Sequence, residues 1–190
     1  MNSTGYFTHP DCRKHEMGPG HPECPERLDA IDDWLLATGV KDALDVREAP
    51  LASIAEIELA HDRMMVASIH GLSEQLVDDI EAGGPRYAQI DPDTALNAHT
   101  WNAVLRASGA VLAATDSVMA GEMENAFCAV RHRVTMLAMT GRWGFVCLTA
   151  SLLQRVTRSI ATASSVLPLW TLMYTTATAP KIFCRATRGS

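Results

Sequence analysis

The sequence predicts an α/β fold for residues 1–131 and a tail of different character for residues 132–190. An amphipathic helical pattern ends near Gly121. A continuous apolar run, residues 126–130, follows it, and an unbroken run of this length is typical of a strand covered on both faces, as in a parallel sheet. The charge then changes abruptly. All 22 acidic residues precede His132, whereas the tail has basic residues and no Asp or Glu.

Residues 7–27 are dense in Pro and Gly, which predicts a loop. This segment contains Cys12, His15, His21 and Cys24, and two Cys with two His can form a closed tetrahedral zinc site. Their spacing is not that of a standard zinc finger or knuckle. A structural zinc site is therefore the less favoured interpretation of the segment.

A first helix is predicted after this loop. Pro25 suits its first turn, and Gly39 suits its end. Apolar side chains recur at helical spacing and predict a core-facing stripe, which comprises Leu28, Ile31, Trp34 and Leu35.

Two further helices are predicted in the middle of the chain. Ser53 and Glu56 form a capping-box pattern, which predicts a helix over 54–60. A helical run near 62–80 follows, and we expect four of its side chains to pack in the core: Met64, Met65, Val66 and Ile69. We interpret His61 and His70 as surface or core histidines, not as metal ligands.

The longest helical pattern follows residues 91–94 and ends at Gly121. Its apolar face predicts a buried amphipathic helix, with these positions on one side: Trp101, Val104, Leu105, Ser108, Val111, Leu112, Thr115 and Met119.

Residues 20–28, GHPECPERL, resemble the HPExPxRL segment of zinc-dependent deacetylases of the histone deacetylase, acetoin-utilisation and acetylpolyamine amidohydrolase superfamily. In that family the segment is a loop at the active-site rim. The resemblance implies the arginase/deacetylase fold, a parallel sheet flanked by helices. It also implies that an acidic residue before the long helix contacts the backbone of the acetylated substrate, and Asp91 is our candidate. The alternative is that Asp91 or Asp93 only caps the helix.

The tail resembles the same family when it is translated in another reading frame. Some shifted codons are forced: Trp170 with Thr171 gives Asp, and Met173 with Tyr174 gives Val. The remaining codons have limited freedom. Within it, the shifted frame can read PGHHA and then GFCLFN directly after Arg131, and DFDVHHGNGT in the segment from Ser165. These strings resemble the RPPGHHA, GFCxFN and DxDxHHGNGT patterns of the deacetylases. Loss of one C after the Arg131 codon accounts for all three.

The resemblance implies what the intact enzyme does. An Asp, a His and a further Asp hold zinc, a histidine pair acts as general base and acid, and a tyrosine helps to stabilise the oxyanion. The substrate class is acetylated lysine or acetylated polyamine. Residues 132–190 encode none of these groups in frame. We therefore expect residues 1–131 to be the N-terminal portion of a deacetylase-like domain, without activity or zinc, and the tail not to be natively folded.

The alternative is a small non-enzymatic module whose apolar tail is genuine and mediates membrane or protein contact. Residues 159–180 contain no charged side chain, a length that can span a bilayer, but Pro168 interrupts them. We expect neither a membrane nor a nucleic acid as partner. The N-terminus lacks a basic region followed by an apolar core, which predicts a cytoplasmic protein.

Overall fold

The computed structural model describes residues 3–59, 61–92, 94–131 and 183–185. Its strands are β1 (Thr4–Thr8), β2 (Leu44–Glu48), β3 (Ala88–Asp91), β4 (Thr94–Leu96), β5 (Asn125–Ala129) and β6 (Phe183–Arg185). Its helices are α1 (Asp11–Lys14), α2 (Glu26–Ala37), α3 (Ile54–Glu58), α4 (Arg63–Glu81) and α5 (Thr100–Met119), with a 3₁₀ turn at Val40–Ala43. The predicted α/β class is confirmed.

The main sheet has the strand order β2-β1-β5-β6. β1 pairs in parallel with β2 on one side and with β5 on the other, so that Tyr6 lies opposite Val46 and Phe127. β6 pairs with β5 in the antiparallel direction. The sequence did not predict this short strand. The expectation that the tail lacks a native fold otherwise concerns residues outside the described ranges.

Helices cover both faces of the sheet at β1. Phe7 packs against α5, where Ala110, Val111 and Ala114 are also buried. Tyr6 points to the other face and packs against Leu28 of α2. Because both side chains are almost completely buried, β1 is the central strand of the core. The predicted parallel sheet flanked by helices is therefore confirmed.

A second apolar core lies between α3, α4, α5 and β4. Its buried side chains include Ile57, Val66, Ile69, Leu96 and Val104. The expectation that Val66 and Ile69 pack in the core is confirmed.

Several predicted helix ends are confirmed by their hydrogen bonds. The Ser53 hydroxyl accepts a hydrogen bond from the Glu56 N–H at 3.3 Å, and the Glu56 carboxylate accepts one from the Ser53 N–H at 2.7 Å. This is the reciprocal capping box that satisfies free N–H groups at a helix start. Gly39 and Gly121 have φ of 70° and 75°, the left-handed conformation that ends many helices.

The middle of α5 lies close to the backbone that follows β2. The Ala52 N–H donates to the Leu105 carbonyl at 3.0 Å. A Cβ atom at Gly109 would lie 2.0 Å from the Pro50 carbonyl oxygen. Glycine at this position therefore permits the close packing of α5 against the chain beside the sheet.

Other predictions for this part of the chain were wrong in detail. The predicted loop over 7–27 includes the end of β1 and the helix α1, which begins after Pro10. Trp34 is 63% exposed because the buried side of α2 is the one that carries Leu28, so the core-facing stripe is narrower than expected. Met64 is 77% exposed and does not pack in the core.

The strands β3 and β4 form a β-hairpin that the sequence did not predict. β3 and β4 pair in the antiparallel direction, with Asp91 opposite Thr94. The long helix begins at Thr100. Among the helices of the described ranges, none combines the length and the apolar content that a bilayer span requires. The uncharged stretch 159–180 lies outside the described ranges.

Candidate functional site

The carboxyl ends of β1 and β5 meet at one edge of the sheet, because the two strands are parallel and in register from Thr4 to Thr8. The Thr8 hydroxyl donates a hydrogen bond to the Ala129 carbonyl at 3.0 Å across this edge. In open α/β sheets, ligands bind outside the carboxyl ends of the strands. The segments that leave this edge are therefore the candidate site.

Arg131 lies just beyond β5 and is 3% exposed. Its guanidinium donates hydrogen bonds to the backbone carbonyls of His15 and Glu23. Its Nε atom lies 3.4 Å from the Glu23 carboxylate. A buried cation needs such partners, since its loss of hydration is otherwise uncompensated. Arg131 thus links the end of β5 to both ends of the loop between α1 and α2.

The loop between α1 and α2 contains the GHPECPERL segment. The His21 Nδ1 atom accepts a hydrogen bond from the Glu23 N–H at 3.1 Å, which makes a tight local turn. The Glu23 carboxylate pairs with Arg27 of α2 as well as with Arg131. Pro25 immediately precedes the first turn of α2. The residues that carry the family resemblance therefore form one polar network at the carboxyl edge of the sheet.

His15, at the other end of this loop, is 1% exposed. Its Nδ1 atom lies 2.9 Å from the Thr100 hydroxyl, at the first turn of α5. Thr100 also accepts a hydrogen bond from the Asn97 N–H at 2.8 Å. Burial, followed by the positive charge of Arg131, lowers the pKa of His15 to about 3. The imidazole is therefore neutral at physiological pH and has a structural position between α1 and α5.

The β3–β4 hairpin is attached to the same loop. The Tyr87 hydroxyl donates to the Glu16 carboxylate at 2.8 Å, just before β3. The Asn97 side-chain amide donates to the Lys14 carbonyl at 2.8 Å, just after β4. These two contacts hold both ends of the hairpin beside the residues that follow α1.

Asp91 lies at the end of β3, in this hairpin. The alternative that Asp91 caps the long helix is wrong, because α5 begins at Thr100 and the hairpin strand β4 lies between them. The role of Asp91 in substrate binding stays a prediction.

The four residues considered for a structural zinc site do not fit one. Cys12 is fully buried in the apolar cluster that contains Tyr6 and Leu28, and burial raises the pKa of its thiol. The Nδ1 atom of His15 contacts Thr100. Within the described ranges, no three His, Cys, Asp or Glu side chains form a group that could hold a metal ion.

Residues 21–134 match the model of the histone deacetylase domain. The chain belongs to the histone deacetylase family. The family resemblance predicted from the sequence is confirmed, and the match includes residues 21–25 of the loop before α2 and Arg131.

One protein of known sequence and one of known structure are similar to the chain. Over 130 residues the chain is 29% identical to a probable deacetylase of Archaeoglobus fulgidus, an alignment that covers 67% of this chain and 33% of that protein. The chain also superimposes on the crystal structure of the HDA15 HD domain with a TM-score of 0.69 and 23% identity, covering 84% of this chain and 44% of that structure. The chain thus spans about a third to a half of the length of these two proteins.

The network of Arg131, Glu23 and His15 was not predicted from the sequence. Glu23 and Arg131 each stand in a segment that resembles a family pattern, but they are 108 positions apart in the sequence, and no local pattern indicates their contact. Only the fold, which places the end of β5 beside the loop before α2, brings them together.

Proposed function

We propose that this chain is the N-terminal portion of a zinc-dependent deacetylase that hydrolyses the acetyl-amide bond of acetylated lysine or acetylated polyamine. We propose further that residues 132–190 are read out of frame and that the chain as translated has no such activity. The supporting observation is where the family match ends. It stops at residue 134, three residues beyond Arg131. The charge distribution and the shifted codons indicate a change of reading frame directly after Arg131.

The described residues form the part of the proposed site that comes before the catalytic groups in the sequence. The loop before α2, Arg131 and the β3–β4 hairpin all lie at or beside the carboxyl edge of the sheet. Arg131 lies at the same edge, and in the other frame the codons that follow it encode the histidine pair of the deacetylases. The general base, the general acid and the zinc ligands of the family all belong to that other frame. The substrate amide would therefore react beyond the end of β5.

Restoring one C directly after the Arg131 codon, with the downstream genomic sequence kept, is expected to produce an active deacetylase. The insertion returns the histidine pair and the metal-binding segment to one polypeptide, and both are needed in a single pocket. The measurement is release of acetate from acetylated lysine peptides and from acetylated polyamines, with and without a chelator.

The control for this experiment is insertion of two bases at the same place, which opens the third frame. A soluble, full-length, single-insertion product that is inactive on both substrate classes with added zinc would show that the assigned chemistry is wrong. The nucleotide sequence offers an earlier check. The proposal requires the other frame to stay open beyond the HHGNGT segment, whereas a genuine tail predicts stop codons there.

Asp91 is proposed to contact the backbone of the acetylated substrate from the hairpin. In the repaired enzyme, Asp91→Ala is expected to raise KM for acetylated lysine peptides about tenfold, equivalent to the loss of one charge-assisted hydrogen bond. Asp93→Ala, on the other side of Pro92, is the matched control and should leave KM unchanged. Equal KM values for Asp91→Ala and the repaired enzyme would remove Asp91 from the site.

A further inference from the structure

The buried guanidinium of Arg131 joins two parts of the candidate site, the end of β5 and the loop before α2. The Arg131 guanidinium is surrounded by the carbonyls of His15 and Glu23 and by the Glu23 carboxylate. A planar guanidinium presents five N–H donors in a fixed fork, so it can bind several acceptors at once. An ammonium on a flexible stem cannot reproduce this arrangement.

The loop that Arg131 holds contains two glycines with positive φ. Gly18 and Gly20, which lie between His15 and Glu23, have φ of 107° and 79°. Glycine adopts this conformation without steric cost. Arg131 contacts the loop on either side of these glycines, so its hydrogen bonds fix both ends of the segment that contains them.

We propose that Arg131 is a positioning residue of the deacetylase site. It fastens the loop before α2 to the end of β5, so that the loop keeps a constant position relative to the carboxyl end of that strand. The inference rests on the proposed function, because in the other frame the codons after Arg131 encode the histidine pair. The Glu16–Tyr87 contact extends the same constraint to the hairpin that carries Asp91.

The positioning of the loop can be tested in the chain as it is encoded. Hydrogen–deuterium exchange is compared for the unmodified protein, Arg131→Lys and Arg131→Met. We expect peptides covering residues 15–24 to exchange faster in both variants, while peptides from α4 keep their protection. Arg47→Met is the matched control, because Arg47 pairs with Asp45 and Glu122 at the surface, away from the loop.

Unchanged exchange of residues 15–24 in a folded Arg131→Met variant would overturn the proposal. If that variant loses protection throughout the chain, Arg131→Lys decides the question. It keeps the buried positive charge but not the fork of N–H donors that binds the two carbonyls. Faster exchange confined to residues 15–24 then supports the proposal, and exchange identical to the unmodified protein refutes it.

A second measurement uses the repaired enzyme. Arg131→Lys is expected to lower kcat per folded molecule about tenfold at unchanged zinc content, since small misplacement of groups in a site slows the reaction of molecules that are still folded. A residue with only a stabilising role would lower the melting temperature and leave kcat per folded molecule unchanged. That result would overturn the role in the reaction. Because the exchange measurement needs no activity, failure of the proposed function and failure of the proposed role of Arg131 are distinguishable.

Discussion

The charged and titratable groups around the loop before α2 are largely withdrawn from water. Arg131 is 3% exposed and His15 is 1% exposed, and the cation contributes to keeping the imidazole neutral. The neutral ring occupies the space between α1 and α5 at no cost in charge burial. Protonation of this single side chain therefore makes the free energy of unfolding depend on pH.

The free energy of unfolding is expected to fall as the pH decreases below about 6.5. The folded state holds the pKa of His15 at about 3, whereas the unfolded chain has the ordinary value of 6.5. Between these values the unfolded state binds the additional proton, so acid favours unfolding. His15 alone would account for a loss of about 2 kcal/mol between pH 6.5 and pH 5. Burial lowers the pKa of His61 also, which adds to the loss in the same direction.

Urea denaturation at several pH values measures this dependence. His15→Gln should flatten the curve over this range, and His70→Gln is the control, because His70 lies partly exposed against the ring of Trp101. A variant at His15 that is folded and keeps the full pH dependence would contradict the assignment.

At the scale of elements, the packing of α5 decides how the sheet is covered. The helix crosses the backbone after β2 so closely that Gly109 has no room for a side chain. The obstacle is the Pro50 carbonyl, which is backbone and cannot rotate away. The helix and the segment between β2 and α3 must therefore move together.

Gly109→Ala is expected to destabilise the protein by about 1–3 kcal/mol, because the added methyl group overpacks a backbone contact. Gly71→Ala is the matched control, since Gly71 lies within α4 with open space around it. Alanine is a better helix former than glycine, so this variant should be more stable by about 0.5–1 kcal/mol. Thermal unfolding of both variants measures the difference. A similar change in melting temperature for the two would contradict the close packing.

The sequence predicted long helices and the strand β5 well, because their patterns are local. A capping pair, a terminal glycine or an apolar stripe is visible within a few residues. β1 was missed because Tyr6 and Phe7 are adjacent and both buried, which removes the alternation that marks many strands. The hairpin was missed because β4 has three residues and no alternation, as all three are buried. The Arg131–Glu23 contact could not be predicted, since only the parallel pairing of β1 and β5 brings them together.

At the scale of the whole molecule, the described part of the chain is one section of a larger kind of domain. Three parallel strands with helices on both faces form its core, and the chain spans 33% of the Archaeoglobus relative and 44% of the HDA15 structure. Beyond β5, the neighbour in the sheet is β6, which runs in the opposite direction. Beyond β2, no further strand pairs within the described ranges, and Val46 is half exposed there.

The strand order also determines how long β1 lacks one neighbouring strand while the chain is being synthesised. β1 is made first and lies at the centre, but one of its two neighbours, β5, begins only at Asn125. At a translation rate of roughly 5–20 residues per second, that edge of β1 waits on the order of 10 s for its partner. Throughout that interval the ribosome carries a nascent chain with Tyr6 and Phe7 on an incomplete sheet. An exposed strand edge is a template for pairing with other chains, so the moment of greatest aggregation risk comes before the last residues of the sheet have been translated.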